Sequence, residues 1–445
     1  MKLTKEKKIT LLYFAIYLIA TLTIALHQPL NDTYPSLCNP PDEHSRYKVP
    51  LYICNHGVLP TGFEEELFSA NCKWTYGFYT LLPYIVQGYA MRFVSLFTHS
   101  ELALLYTARM VNVLIGLLMS YIVLLIGKKL FRDDRIRWLF CFLVTFLPQK
   151  LFLHTYVNPD SMCLLATALM IYGLLRGYGD EFSLKSCALL AFGVILCALS
   201  YYNAYGYIVS SILLFTAYFL KKEESRWHFD WKPFLKKGIG ISVVVLLCIS
   251  WSFIRNYILY DGDIIGLNTM KNFIESNGVF RETFQSQGKS LFSMLFGTTF
   301  IGKMVISFIS NYGSGTLYTW IIVYVFYLLL FAAGLGGAVF CRSGEKTSHI
   351  FFHINMIFCI AMPVILTIRF AYTVDYQAQG RYIMPGVIPL VYYVCMGLEK
   401  LPVWKKSSEK RKNATVTGLM AGIVLSLLIT VFVTALPYYL QTGVL

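Results

Sequence analysis

KEKKITLLYFAIYLIATLTIALHQPLNDTYPSLCNPPDEHSRY, residues 5–47, decides how the chain is read. A basic start leads into an uninterrupted apolar run over 9–26, long enough to cross a bilayer, for which roughly 17–25 residues are needed. No small-residue cleavage site follows it, so the run is expected to stay as an uncleaved anchor. About fifteen residues further on come Asp42 and Glu43, in a proline-rich turn. An acidic pair at the membrane edge is costly to keep near hydrocarbon, and ionisable groups in such places are functional candidates.

The rest of the chain repeats the first run. Of its 445 residues, 56% are hydrophobic and only 14% charged, a balance that excludes a soluble domain of this size. The expectation is an all-α polytopic membrane protein with about eleven spans: 9–26, 103–126, 136–153, 161–177, 186–202, 205–220, 238–255, 318–340, 350–370, 382–399 and 415–437. With the N-terminus inside, 25 of the 38 Lys and Arg fall in or beside the inner segments, as the positive-inside rule requires. The net charge of +14 therefore reports topology, and no nucleic-acid partner is implied. The whole chain, 1–445, reads as a single integral membrane domain without repeats.

Two outer loops are long, 27–102 and 256–317. Each holds an apolar stretch, 75–97 and 291–310, interrupted by Pro83, Gln87 and Arg92 in the first and by Lys303 in the second. A further crossing at either would invert the charge bias of every later loop, so both are expected to be helices lying in the interface. Cys38, Cys54 and Cys72 share the first loop, and the sequence leaves open whether two of them pair. No spacing of His, Cys or acidic residues calls for a cofactor; a divalent metal is possible without being indicated.

Four polar motifs reach the outer side. In Asn39–Tyr47, two adjacent carboxylates in a stiff turn allow Asp42 to act as a general base while Glu43 orients or tunes it; His44 and Arg46 flank them. Tyr156–Met162 fills a short turn, where Asn158 and Asp160 suit sugar hydroxyls, and Asp160 equally suits the capping of the next helix. Trp251–Gly266 brings Arg255 and Asp263, and Gln377–Gly386 brings Gln379, Arg381 and Tyr382. Arg109, Lys150, Arg255, Arg369 and Arg381 all fall at the outer parts of spans, a side the positive-inside rule disfavours. Gathering cations there suits an anionic ligand at headgroup level, a lipid phosphate first. Pairing with Asp160, Asp263 or Asp375 is the bland alternative.

These motifs, in this order and on one side, resemble those of GT-C fold membrane glycosyltransferases. The acidic pair looks like that of protein O-mannosyltransferases and lipid A aminoarabinose transferases. A closer likeness is to a bacterial group of multi-pass proteins with a PDE first loop, an NPD turn, an RN…YGD segment and a late QGRY. Here these read Pro41-Asp42-Glu43-His44, Asn158-Pro159-Asp160, Arg255-Asn256 with Tyr260-Asp261-Gly262-Asp263, and Gln379-Gly380-Arg381-Tyr382. One position departs: Tyr201-Tyr202-Asn203 stand where relatives often carry a Lys. The resemblance implies a polyprenyl-phosphate sugar donor and an envelope glycan or other acceptor. Transfer would occur at the outer face of the bacterial cytoplasmic membrane, among membrane lipids, with Asp42 as base and inversion at the anomeric carbon. Arg255, Arg381, Arg109, Lys150 and Arg369 would bind donor phosphate. His44, Arg46, Asn158, Asp160, Asp263, Gln379 and Tyr382 would contact sugar or acceptor. A lipid-linked sugar flippase, or a glycan ligase or polymerase using a pyrophosphate donor, are the competing readings.

Overall fold

The computed structural model describes residues 4–30, 40–69, 75–223, 226–278, 282–313, 315–341 and 350–444. Its helices are α1 (Lys5–His27), α2 (Glu43–His56), α3 (Leu82–Ser95), α4 (Glu101–Leu130), α5 (Asp134–Phe146), α6 (Pro148–Phe152), α7 (Asp160–Gly179), α8 (Leu184–Ala198), α9 (Tyr205–Tyr218) and α10 (Trp231–Leu259). They continue as α11 (Leu267–Ser276), α12 (Leu291–Phe296), α13 (Phe300–Ile309), α14 (Ile321–Phe340), α15 (Ile350–Thr373), α16 (Val387–Lys400), α17 (Pro402–Lys406), α18 (Glu409–Leu428) and α19 (Leu436–Thr442). A 3₁₀ segment, Gly380–Gly386, leads into α16. The basic segment after α9 forms a small antiparallel hairpin, Leu220–Glu223 with Arg226–Phe229, which the sequence reading did not anticipate.

Among the described residues, eight helices are long and apolar enough to cross a membrane. The other three expected spans are shorter. The stretch 136–153 breaks at Leu147, which is extended (ψ 119°) ahead of Pro148. A proline disfavours helical backbone in the residue before it, so α5 stops after 13 residues and α6 starts afresh. The spans read as 186–202 and 205–220 become α8 and α9, of 15 and 14 residues.

Neither loop helix could span alone. At 1.5 Å per residue, α3 is about 21 Å long and α13 about 15 Å, against about 30 Å of hydrocarbon. α3 packs between α2 and α4, and leaves Val86, Tyr89, Phe93, Leu96 and Phe97 exposed along one side. Lipid tails are as apolar as the helices, so close packing has to hold the bundle together. α14 and α16 show how: a Cβ on Gly397 would lie 1.7 Å from the Gly334 carbonyl oxygen.

The two ends of the bundle differ in charge. At one end Lys128 and Arg137 meet Glu6 (3.1 and 3.4 Å), and Arg135 meets Glu409 (2.5 Å). That end gathers the start of α1, the end of α4, and the starts of α5 and α18. The acidic turn at Asp42 lies at the other end.

Candidate active site

The site is built on the turn before α2. Asp42 has φ 62°, ψ 7°, a left-handed conformation that Asp tolerates better than most residues. The turn sends the two neighbouring carboxylates in different directions. Glu43 goes inward and is fully buried. Arg109 Nε and Nη2 donate to its two oxygens at 2.9 and 2.6 Å, and the Val157 backbone N–H donates to Oε1 at 2.8 Å. Arg109 Nη1 also donates to the carbonyls of Ala25 and Gln28, at the C-terminal end of α1. Glu43 and Arg109 thus lock α1, α2, α4 and the turn before α7 together. Against the sequence reading, Glu43 turns away from Asp42 into the bundle, and Arg109 spends four of its five N–H donors on protein acceptors.

Asp42 goes outward. Its side chain is 38% exposed, and Oδ2 accepts from Arg381 Nη2 at 2.8 Å and Arg46 Nη2 at 3.5 Å. Arg46 reaches on to Asp160 Oδ2, also at 3.5 Å. Both guanidinium groups are only 2% exposed. Arg46 sits over the Tyr76 ring (4.9 Å) and Arg381 over that of Tyr382 (4.9 Å), whose hydroxyl accepts from Arg381 at 2.9 Å. Burial pushes the Asp42 carboxyl up, but Arg381 and then Arg46 pull it further down, and the net is below its usual value. Asp42 is therefore held in its ionised form.

Donor capacity is left over. Nε and Nη1 of Arg381 and Nε of Arg46 are buried with no hydrogen-bond partner among the described residues, as are the hydroxyls of Tyr84 and Tyr156. A buried donor left unmatched costs about 1–3 kcal/mol. An oxyanion with several acceptor oxygens would satisfy these groups together.

Arg381 is held from the long second loop. The Gly380 N–H donates to Ser307 Oγ at 2.7 Å. A Cβ at Gly380 would lie 2.1 Å from the Phe308 amide nitrogen, so only glycine lets α13 approach this closely. Gln377 accepts from the Tyr382 hydroxyl and donates to Asp375 at 2.8 Å. Gln379 donates to Gln377 at 3.4 Å, at the edge of the cluster.

The other expected ligands are elsewhere. Arg255 donates to the Pro60 carbonyl. Lys150 is buried in the bundle, 5.9 Å from the Tyr17 ring centroid, and Arg369 is exposed on α15. None of the three joins the cluster, because similar depth along different helices does not make their side chains converge. Asn158 is fully buried and spends its amide on the Leu153 and Tyr156 carbonyls (2.9 and 2.8 Å) and its oxygen on the Ser161 N–H; it shapes the turn that presents Asp160. Asp263 accepts from the Ile265, Gly266 and Thr269 backbone N–H groups and so caps the start of α11. His44 and Arg46 are two residues apart, about 200° around a helix. Arg46 faces Asp42, so His44 faces away, into a cleft of about 760 Å³ between α2, α3 and α4. Cys54 is buried on α2, while Cys38 and Cys72 lie outside the described residues, as does Asn39. What the sequence reading missed is a wall of tyrosines: Tyr76 and Tyr84, which it did not single out, and Tyr156 and Tyr201, which it named without giving them a place at the site. In a chain with 32 tyrosines no spacing marks these four.

Comparison with known proteins fits this arrangement. The family described as "Predicted membrane protein (DUF2142)" matches residues 66–391, about three quarters of the chain. The chain belongs to the DUF2142 family. The match takes in Asp160 and Arg381 and begins after Asp42 and Arg46. No curated protein matches this DUF2142 member in sequence. Among solved structures it is similar to ArnT from Cupriavidus metallidurans, solved bound to undecaprenyl phosphate (TM-score 0.56, 12% identity, 98% of this chain and 77% of that one). It is similar to the apo Archaeoglobus fulgidus oligosaccharyltransferase (TM-score 0.53, 14% identity, 96% and 56%) and to the mycobacterial arabinofuranosyltransferase AftD (TM-score 0.53, 13% identity, 96% and 28%). The DUF2142 chain thus spans about half the length of the oligosaccharyltransferase. Its fold is GT-C-like, as the motif resemblance implied.

Proposed function

We propose that this chain is a membrane glycosyltransferase that moves a sugar from a polyprenyl-phosphate-linked donor to an acceptor hydroxyl, in the making or modification of an envelope glycan. The reaction is taken to run at the outer face of a bacterial cytoplasmic membrane; the position of the Asp42 turn, at the end of the bundle opposite the basic segments, supports this side. The observation that carries the reading is the pair of buried arginines, Arg46 and Arg381, around a part-exposed carboxylate, with guanidinium N–H groups unmatched. Arginine suits phosphate because its donors form a rigid fork and its charge persists when buried.

The chemistry follows from that geometry. The donor phosphate draws Arg381 into a bidentate contact and loosens its 2.8 Å hold on Asp42. Asp42 takes the proton of the acceptor hydroxyl as its oxygen bonds to the anomeric carbon. The bond from that carbon to the phosphate oxygen breaks, and its electron pair leaves with the polyprenyl phosphate, stabilised by the two guanidinium groups. A single displacement inverts the anomeric centre and needs no covalent enzyme intermediate.

The test uses Asp42→Asn in native membranes, which supply the acceptor. A panel of short-chain polyprenyl-phosphate sugars is added, and release of polyprenyl phosphate is followed by mass spectrometry. Loss of a general base should slow release by about 10²–10⁴-fold. Near-normal release by the Asn variant removes Asp42 from the chemistry.

A further inference from the structure

The second long loop builds another surface beside the site. α11 is amphipathic. Met270 and Ile274 are buried against Phe78 and Tyr260. Asn268, Asn272 and Ser276, four residues apart and so on one face, are exposed. This stripe, together with Asp261 and the rings of Phe63 and Phe273, lines an open groove of about 730 Å³. No Lys or Arg lines it among the described residues.

The groove is connected to the Asp42 cluster. Arg46 lies over Tyr76, whose ring centroid is 5.3 Å from that of Tyr79. Tyr79 is 6.3 Å from Tyr202, and the Tyr202 hydroxyl donates to the Ile265 carbonyl at 3.1 Å. Ile265 belongs to the turn that Asp263 organises at the start of α11. All three tyrosine rings are partly exposed. A row of aromatic faces thus leads from the groove to the two buried arginines.

We propose that this groove and its tyrosine track hold an uncharged glycan chain, the acceptor, and lead its terminal hydroxyl to Asp42; this rests on the glycosyltransferase reading above. Amide, hydroxyl and carboxylate groups in a line match the dense hydroxyl pattern of a sugar chain, and flat rings match its C–H faces. α11 offers the stripe over about 12 Å, room for a short oligosaccharide. Asp261 and Asp263 give the groove negative charge, and with no Lys or Arg lining it among the described residues it disfavours an anionic polymer. The groove is open at the surface, so a long chain can enter without threading.

The experiment uses the full chain in detergent micelles. Saturation-transfer NMR is run against a panel of neutral oligosaccharides of three to six sugars, with uronic-acid oligosaccharides and an uncharged peptide pool alongside. At least one neutral oligosaccharide should bind wild type. The Asn268→Ala/Asn272→Ala variant should bind it about tenfold more weakly, as expected for two lost neutral hydrogen bonds. Both positions are exposed, so the variant should keep the circular dichroism and elution profile of wild type. Tyr79→Ala should weaken binding of the longer oligosaccharides more than that of the trisaccharides. The proposal is overturned if no neutral oligosaccharide binds, if only uronates or peptides bind, or if the double variant binds as wild type does. Oligosaccharide binding without any donor consumption would sink the catalytic reading and leave the groove standing. Donor consumption without glycan binding would do the reverse.

Discussion

Replacing Glu43 with Gln separates the two halves of the acidic pair. The carboxylate is fully buried and takes three hydrogen bonds, two from Arg109 and one from the Val157 amide, at 2.6–2.9 Å. The glutamine would keep the shape and one acceptor oxygen, but it would leave the Arg109 guanidinium buried without a counter-charge. Removing one partner of a buried pair costs about 3–5 kcal/mol, a large part of the ~5–15 kcal/mol that holds a typical domain together. The same change at Asp42 should cost less, because that carboxylate is 38% exposed and solvent screens its pairing, while it still removes the carboxylate partner of the buried Arg381. Purified full-length protein in micelles, heated in steps and scored for the monodisperse fraction, should lose several degrees in midpoint for Glu43→Gln and fewer for Asp42→Asn. The combined Glu43→Leu/Arg109→Leu variant should recover most of the loss, since no buried charge is then left alone. A Glu43→Gln protein with the wild-type midpoint, and with transfer reduced as far as in Asp42→Asn, would refute the assignment and return Glu43 to the chemistry.

Three further outcomes are expected. Arg381→Ala should weaken donor use by about one to two orders of magnitude, from a charge-assisted contact of roughly 1.5–3 kcal/mol, and Arg381→Lys should restore only part; titration of a synthetic polyprenyl-phosphate sugar measures both, and unchanged donor dependence would leave the cluster without a phosphate role. Because Arg381 and Arg46 hold the Asp42 carboxyl below its usual 3.8, its charge and its pairing persist above that value and are lost only as the pH falls through the lowered folded value; Arg46→Gln should therefore move the acid limb of kcat/KM to higher pH, and a limb that stays in place argues against Asp42 as base. Cysteines placed at 42 and 263 should react with an impermeant thiol reagent on intact cells while one at 230 should not, after removal of reactive native thiols; labelling at 230 alone would invert the topology and the site with it.

Much of the site was legible in pieces. Asp42, Arg46, Asp160, Arg381 and Tyr382 stand in three motifs whose polarity is conspicuous in an apolar chain, and the structure brings the five together. The five-cation phosphate cluster was not legible. Arg109, Lys150, Arg255 and Arg369 share with Arg381 only their depth along a span, and depth leaves the angle around the helix unset. Glu43 and His44 show the same gap within a single motif. Adjacent residues on a helix point about 100° apart, so a motif read as one unit is divided between a core lock, a cleft and the site.

Sequence by itself determined the class, because a bilayer filters on length and apolarity, and both are written locally. Runs of apolar residues and charge in short loops need no partner to be read, and they led to a polytopic helical bundle; the GT-C likeness came from the resemblance of the four polar motifs. Only the tertiary structure decided which charges meet, because hydrogen bonds depend on side-chain direction over a few ångströms. Tyr76, Tyr156 and the glycine that lets α13 press against Arg381 are separated by up to three hundred residues. Their roles exist only once α2, α7, α13 and α16 are packed end to end around one turn.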